Sequence, residues 1–457
     1  MPRFLSGFLL KGFFMEIQLS DHFNTGKLIR FVIPSIGMMI FTSIYGVVDG
    51  FFVSNYAGST PFAAINLIMP FLMIFSAIGF MIGTGGTALV SLKLGAGVEK
   101  EARETFSLLV YVVIVLGLIS TVAGEIFLKR VAVLLGATEE LLPYCVEYGR
   151  IILIALVPFM LQNLFQSFLV AAEKPGLGFK ITVAAGVTNM AMDAVLVGAL
   201  KMGVTGAALA TALSQMVGGI IPLVYFILPN SSRLRLGKTS LDWLSIWKAS
   251  SNGASEFMTN ISMSVVNMLY NKQILKLAGE NGVAAYGVIM YVNFIFVAVF
   301  IGYSIGTAPI IGFNYGANNT AELKNIFKKS MYIIAIDAVV MTGLAMLLAH
   351  PLALIYVGYN AELLAMTENG FKIYSISFLI MGFNIYGSSF FTALNNGAVS
   401  ATISFLRTLV FQIICVLVLP IFWGLNGVWL SVCLAETFSL LVTVFFWIKK
   451  KNVYHYA

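Results

Sequence analysis

Charge is scarce in this chain. Asp, Glu, Lys and Arg together make up 10% of its 457 residues, where an ordinary soluble domain carries about 25%. Twenty-seven basic and 20 acidic side chains cannot coat a soluble body of 49.6 kDa, so soluble enzymes and secreted scaffolds are excluded. Cysteine is nearly absent. Cys145, Cys415 and Cys433 all fall inside apolar runs, with no CxxC and no neighbouring histidine. They read as small buried residues, which excludes a disulfide framework and a thiolate metal site. Histidine numbers three, and His350 alone touches the edge of an apolar run. No HExxH occurs, no serine has a base to partner it, and the glycine-rich G-T-G-G-T at 83–87 lacks the Gly-Lys-Ser/Thr ending of a phosphate loop. Those glycines read as helix packing or a kink. An enzyme is not expected, and neither is a cofactor or a resident metal.

Apolar sequence is abundant instead: 59% of residues are hydrophobic and the mean hydropathy is +0.93. A membrane-crossing helix needs about 20 mainly apolar residues. Twelve runs qualify, from span 1 at 27–53 to span 12 at 424–448, with span 4 at 141–171, span 7 at 248–277 and span 10 at 362–393. The fold expected is an all-α polytopic membrane protein. With an even number of spans both termini share a side, and that side holds 19 of the 27 lysines and arginines. The opposite loops hold Lys129, Arg130, Lys201, Lys272 and Lys276, and Arg150, Lys372 and Arg407 sit within spans. The positive-inside rule then predicts cytoplasmic termini in the cell membrane. The net charge of +7 becomes a topology signal, and no nucleic-acid partner is expected. Residues 4–15 are apolar but too short to span, with no small-residue cleavage site after them, so no cleaved signal peptide is expected. Residues 1–14 read as an alternative-start extension before Met15, or as an interfacial stretch.

One internal offset, 221 residues, brings the chain onto itself. Gly95 and Ala96 fall on Gly316 and Ala317, Glu101 on Glu322, Phe106 on Phe327, and G-V-T-G-A-A-L-A-T-A-L (203–213) on G-L-N-G-V-W-L-S-V-C-L (424–434). The sequence thus divides into a six-helix lobe at 15–229, a basic linker at 230–247, a second six-helix lobe at 248–448 and a basic tail at 449–457. Six is even, so both lobes enter the membrane the same way round, and a site is expected between them. Two lobes flanking one cavity suit alternating access.

Ionisable residues inside spans are costly, and each is a functional candidate. Asp49 lies late in span 1 with Tyr45 one turn before it; Asn189 and Asp193 share a face of span 5 at i, i+4, as do Thr211 and Gln215 in span 6. Glu256 opens span 7, Glu436 lies in span 12 and Asp337 in span 9; Glu147 and Arg150 in span 4 could satisfy each other. Neither Asp49 nor Asp193 has a cationic partner fixed by sequence, which suits a site that takes and releases a cation. At the repeat offset Asp49 falls on Tyr270, Asn189 on Val410, Asp193 on Ile414 and Gln215 on Glu436. Ion chemistry is therefore expected in the first lobe. A substrate cavity with Glu256 as its main acid, and Tyr45, Gln215 and Glu436 as further members, is expected beside it. Twenty-one methionines and 37 phenylalanines add weak support for flat apolar ligands.

These residues resemble the multidrug and toxic compound extrusion (MATE) transporters, in their bacterial branch of small, broad-specificity drug pumps. The resemblance covers the chain after Met15 and rests on I-P-S-I-G-M-M-I…D-G-F-F-V-S-N-Y-A-G (33–58), A-A-x-N-L-x-x-P (63–70), the N-x-x-x-D of span 5, P-I-I-G-F-N-Y-G-A (309–317) and G-V-W-L-S…A-E (427–436). It implies two six-helix bundles in a V, and export of amphipathic cationic compounds coupled to inward H+ or Na+ by a single chain in the lipid bilayer. It implies cation binding at Asp49, Asn189, Asp193 and Thr211, the residues that polarity alone selects, and an acidic role for Glu256. Two features depart from the family pattern: Ala194 stands where proline often follows the span 5 aspartate, and no aspartate partner for Glu256 occurs within 374–393. A flippase of lipid-linked saccharides shares the superfamily pattern and stays open; it would favour a cationic cavity. A membrane sensor or scaffold would leave the two lobes and the unpaired carboxylates unexplained.

Overall fold

The structure is a computed structural model and describes residues 17–457. The stretch 1–14 lies outside the described residues. Among the described residues every regular element is helical. The first half contains α1 (Thr25–Phe52), α2 (Ser59–Gly95), α3 (Glu99–Leu134), α4 (Leu142–Ile154), α5 (Leu156–Ala171), α6 (Pro175–Met192) and α7 (Gly203–Ile227). The second contains α8 (Trp243–Asn252), α9 (Ala254–Gly316), α10 (Thr320–Val357), α11 (Ala361–Ser375), α12 (Phe378–Ala393), α13 (Gly397–Phe405) and α14 (Phe411–Tyr454). Starts are chemically marked: the Asn24 side chain accepts from Lys27 N, Asp242 from Leu244 N and Ser245 N, and Asn360 from Glu362 N and Leu363 N.

Eight helices are long and apolar enough to cross a membrane, and two bent pairs add two more: α4 with α5 at 58°, and α11 with α12 at 50°. Two of the eight exceed any bilayer. The 63 residues of α9 would reach about 95 Å if straight. Instead α9 breaks at Gly279 (φ 64°), and the continuous run from α13 through α14 breaks at Gly424 (φ 53°). Left-handed backbone of this kind favours glycine. Dividing both runs at these glycines gives twelve crossings, six in each half.

Two expectations are corrected here. Span 7 begins at Ala254, because residues 243–252 form the separate helix α8 that meets α9 at Gly253. Glu147 and Arg150 do not pair: Glu147 accepts from Thr205 Oγ1, and Arg150 reaches Glu125 at 3.5 Å.

The repeat has a geometric counterpart. Left-handed turns occur at Gly58 and Gly279, Gly97 and Asn318, and Gly203 and Gly424, each pair 221 apart. A fourth pair, Glu173 and Asn395, is 222 apart. The first half therefore holds one more residue between its fourth turn and Gly203. Extra residues are commonly absorbed as π-helical turns. The π-helical stretch Asp193–Ala199 falls within that interval, while the second half's π-helical turn, Leu406–Val410, lies ahead of Ile414, the repeat position of Asp193.

Glycine brings the two lobes into backbone contact at their lysine-rich end. A Cβ on Gly95 would lie 1.9 Å from Phe313 O, and one on Gly316 would lie 2.0 Å from Leu92 O. Leu92 and Phe313 are themselves repeat partners, so the contact is reciprocal, as across a two-fold axis. Gly85 and Gly253 meet as closely, and Gly302 lies against the Ile36 backbone. Farther along, α1 and α9 stay in contact through side chains: Ser43 Oγ donates to Phe294 O at 3.2 Å, and a Cβ on Gly50 would lie 3.8 Å from the Tyr291 hydroxyl.

Candidate functional site

The end of α1, the end of α6 and the middle of α7 meet inside the first lobe. Asp49 lies three residues before the end of α1, ahead of the π-helical turn Val53–Ala57. Asn189 lies one turn before Asp193, which opens the π-helical stretch after α6. Asn189 Nδ2 donates to Asp49 Oδ1 at 3.5 Å, and Thr211 Oγ1 donates to the same oxygen at 3.4 Å. The Asp193 carboxyl lies beside that of Asp49. All four residues singled out for a cation are therefore in one cluster.

Its electrostatics are unbalanced. Asp193 is fully buried, and neither of its carboxylate oxygens receives a hydrogen bond; Asn189 Oδ1 is unpartnered as well. Two adjoining carboxyl groups out of water cannot both stay charged without a proton or a cation between them. The oxygens present, from two carboxylates, one amide and one hydroxyl, are hard ligands suited to an alkali cation. Among the described residues no group of three His, Cys, Asp or Glu forms a site for a multivalent metal.

Tyr148 of α4, 1% exposed, also borders the cluster, beside Thr211 and both carboxylates, with its hydroxyl 3.9 Å from Met69 Sδ. Sequence reasoning missed it. It is one of 18 tyrosines, and only the α4–α5 bend carries it to the site.

The residues expected to share a substrate cavity do not come together. Tyr45 packs against Gly186 of α6, beside Gln162 and Asp49, and Gln215 is buried one turn beyond Thr211; both face the interior of the first lobe. Glu256 and Glu436 lie in the second lobe around Arg407. Glu436 is a correction: its carboxylate pairs with Arg407 Nε at 2.8 Å and accepts from Asn384 Nδ2 at 2.7 Å, with its side chain 2% exposed. It is an internal partner of Arg407, and no free acid for a ligand. Arg407 also faces Glu256. The helix register hid this arrangement, because Arg407 sits in the π-helical turn after α13.

Residues 34–195 and 257–418 each match the MatE family, together covering more than half of the chain. The multidrug export protein MepA of Staphylococcus haemolyticus (strain JCSC1435) is 26% identical over 422 residues, 92% of each chain. MepA of Staphylococcus aureus (strain NCTC 8325 / PS 47) is 24% identical over 422 residues, 91% of this chain and 92% of its own. Among solved structures, an outward-facing conformation of a multidrug resistance MATE family transporter of the MOP superfamily has a TM-score of 0.90 at 20% identity, covering 95% of this chain and 98% of that one. The likeness in structure is one of fold, twelve helices in two lobes. With both halves matched, the chain belongs to the MatE family.

Proposed function

We propose that this protein is a secondary active efflux transporter that exports amphipathic cationic compounds in exchange for H+ or Na+. The observation that carries the reading is the buried pair Asp49–Asp193, held with Asn189 and Thr211 and provided with no fixed counter-charge. A site of this kind is neutralised by whichever cation binds it, and binding is reversible because no lysine or arginine competes. The family and the names of the MepA relatives point the same way.

In this reading the lysine-rich end is cytoplasmic and the protein lies in the cell membrane with both termini inside. The lobes 15–229 and 248–448 swing about the linker 230–247, and one chain suffices as a monomer. The backbone contact at Gly95 and Gly316 closes the seam between the lobes at that end. The cation binds the first lobe from outside, where its gradient is favourable, and compensates the carboxylates as drug departs. Glu256, half-buried at the start of α9, offers the second lobe's acidic contact for a cationic drug.

The flippase alternative is not favoured. It needs free cations in the cavity, yet Arg407 pairs with Glu436, Lys372 with Glu368 at 2.6 Å and Arg150 with Glu125. The test is efflux of a monovalent cationic dye from vesicles, with sodium and proton gradients imposed separately. Efflux driven by one of the two gradients is expected. Efflux indifferent to both would overturn the antiport reading.

A further inference from the structure

The chain ahead of α1 crosses from one lobe to the other at the lysine-rich end. Residues 17–24 form no helix, yet Leu19 and Phe23 are both buried. Two ties hold the segment to the first lobe. Leu19 N donates at 2.8 Å to Glu173 Oε1, in the turn between α5 and α6, and Asn24 caps α1. Asp21 braces the segment from within: its carboxylate accepts from Gln18 N at 2.9 Å and pairs with Lys27 at 2.8 Å. The Phe23 ring meets Phe31 of α1 edge-on, with 6.0 Å between centroids.

The remaining contacts of His22 and Phe23 belong to the second lobe. His22 Nδ1 lies 2.7 Å from Glu322 Oε2, and Phe23 N donates to Glu322 Oε1 at 2.9 Å. Phe23 O accepts from Asn325 Nδ2 at 2.9 Å and from Lys329 Nζ at 2.6 Å. Glu322, Asn325 and Lys329 are three and four apart in α10, which puts them on one helix face. Glu322 is only 6% exposed, and a carboxylate so deeply buried depends on its donors. The repeat shows that this contact is not a general feature of the scaffold. Glu101, Glu104 and Leu108 stand 221 residues before those three, so the amide and the ammonium that grip Phe23 O have no counterparts in the first lobe. The Glu101 side chain is 61% exposed, and Leu244, the repeat partner of Phe23, is exposed as well.

We propose that residues 19–23 bolt the two lobes together at the lysine-rich end, with Glu322 as the catch, and that the bolt is drawn each time that end opens. The proposal rests on the antiport reading, in which the lobes separate there once per cycle. Four residues lie between Leu19 and Asn24, and both of these are fixed to the first lobe. The segment therefore has no slack with which to follow α10 as it moves away. Separation pulls the His22 ring and both backbone groups of Phe23 off α10 in one step. Water then takes the place of the lost donors on Glu322, so the bolt sets a threshold and not a permanent lock.

The experiment measures the gap between the lobes directly. In full-length protein with Cys145, Cys415 and Cys433 replaced by alanine, spin labels at Lys100→Cys and Lys324→Cys report the distance between the two lysine-rich ends, in lipid and without any ion gradient. Glu322→Ala should raise the ratio of separated to closed populations about tenfold. Glu101→Ala, at the repeat position, should leave the ratio unchanged. An unchanged ratio in Glu322→Ala, or an equal rise in Glu101→Ala, would overturn the bolt. A tether tests it with the catch intact. His22→Cys and Asn325→Cys, joined by a short bifunctional thiol reagent that a reductant cleaves, should stop dye efflux until the reductant is added, and neither cysteine alone should respond. Efflux that continues across the tether would also overturn the bolt. The distances are read without a gradient, so they decide the bolt whatever Asp49 binds; wild-type efflux indifferent to both ion gradients would refute the antiport reading separately.

Discussion

The two lobes share one scaffold and differ inside. The π-helical stretch after α6 opens with Asp193, whose oxygens accept nothing; the π-helical turn after α13, at a different repeat position, carries Arg407, bound to Glu436. Around that pair Asn384 donates to Glu436 and accepts from Thr443 Oγ1 at 3.0 Å, so the Glu436 carboxylate is internally paired. At the repeat position of Asp49 is Tyr270, whose hydroxyl donates to Gln412 Oε1 at 2.8 Å. Volume follows the same division. Tyr270 stacks on Tyr286 at 5.4 Å, and Trp429 extends the stack, where the first lobe has Asp49, Ile65 and Ala208. The second lobe's buried carboxylate is neutralised by Arg407, and the first lobe's carboxylates have no counter-charge. Duplication supplied the frame, and divergence at a few interior positions assigned the tasks.

The largest expected effect breaks the first lobe's half of the contrast. Asp193→Asn should abolish ion-driven dye efflux while the protein remains folded and inserted, as judged by its thermal unfolding in detergent. Retained coupling would remove Asp193 from the site.

Next is the second lobe. Arg407→Ala leaves Glu436 buried without its partner, a change that costs about 3–5 kcal/mol in comparable buried pairs. It should lower the unfolding temperature sharply, and the double variant Arg407→Met with Glu436→Met should regain most of the loss. A tolerated Arg407→Ala would mean that the pair is not a structural element.

The seam sharpens the comparison, because there the lobes are alike. Gly95→Ala and Gly316→Ala should each force the basic ends apart, at a cost of about 1–3 kcal/mol for overpacking. Spin labels at Lys100→Cys and Lys324→Cys, both on exposed positions, should report the same longer distance for either variant. Unequal effects would deny the pseudo-two-fold contact.

The smallest effect is that of Tyr148→Phe. Removing a hydroxyl beside Thr211 should raise the half-saturating cation concentration a few-fold, in line with about 0.5–1.5 kcal/mol for one hydrogen bond. An unchanged value would make Tyr148 a packing residue.

Much of the fold is legible in the sequence because a bilayer imposes strong hydropathy and a repeat leaves matched loops. Gly279 and Gly424 break the long helices where the apolar runs already part, after 277 and at 424. The cluster of Asp49, Asn189, Asp193 and Thr211 is legible for a different reason: polar residues stand out against apolar spans, and i, i+4 spacing aligns two of them. Glu436 misleads because its partner lies 29 residues away on a π-helical turn, where ordinary helical periodicity fails. Tyr148 is hidden because an aromatic in a span carries no signal of its own. The bend that delivers it occurs at Ala155, three residues ahead of the proline that would mark it.

The central claim is that the coupling ion binds in the first lobe alone. Its most direct test is dye efflux in vesicles under separately imposed sodium and proton gradients, comparing Asp49→Asn with Asp193→Asn against Arg407→Met with Glu436→Met. The account predicts that the first pair of substitutions eliminates dependence on the driving gradient and that the second pair leaves it intact. Gradient-driven efflux that survives the first pair, or disappears with the second in a folded protein, would contradict it.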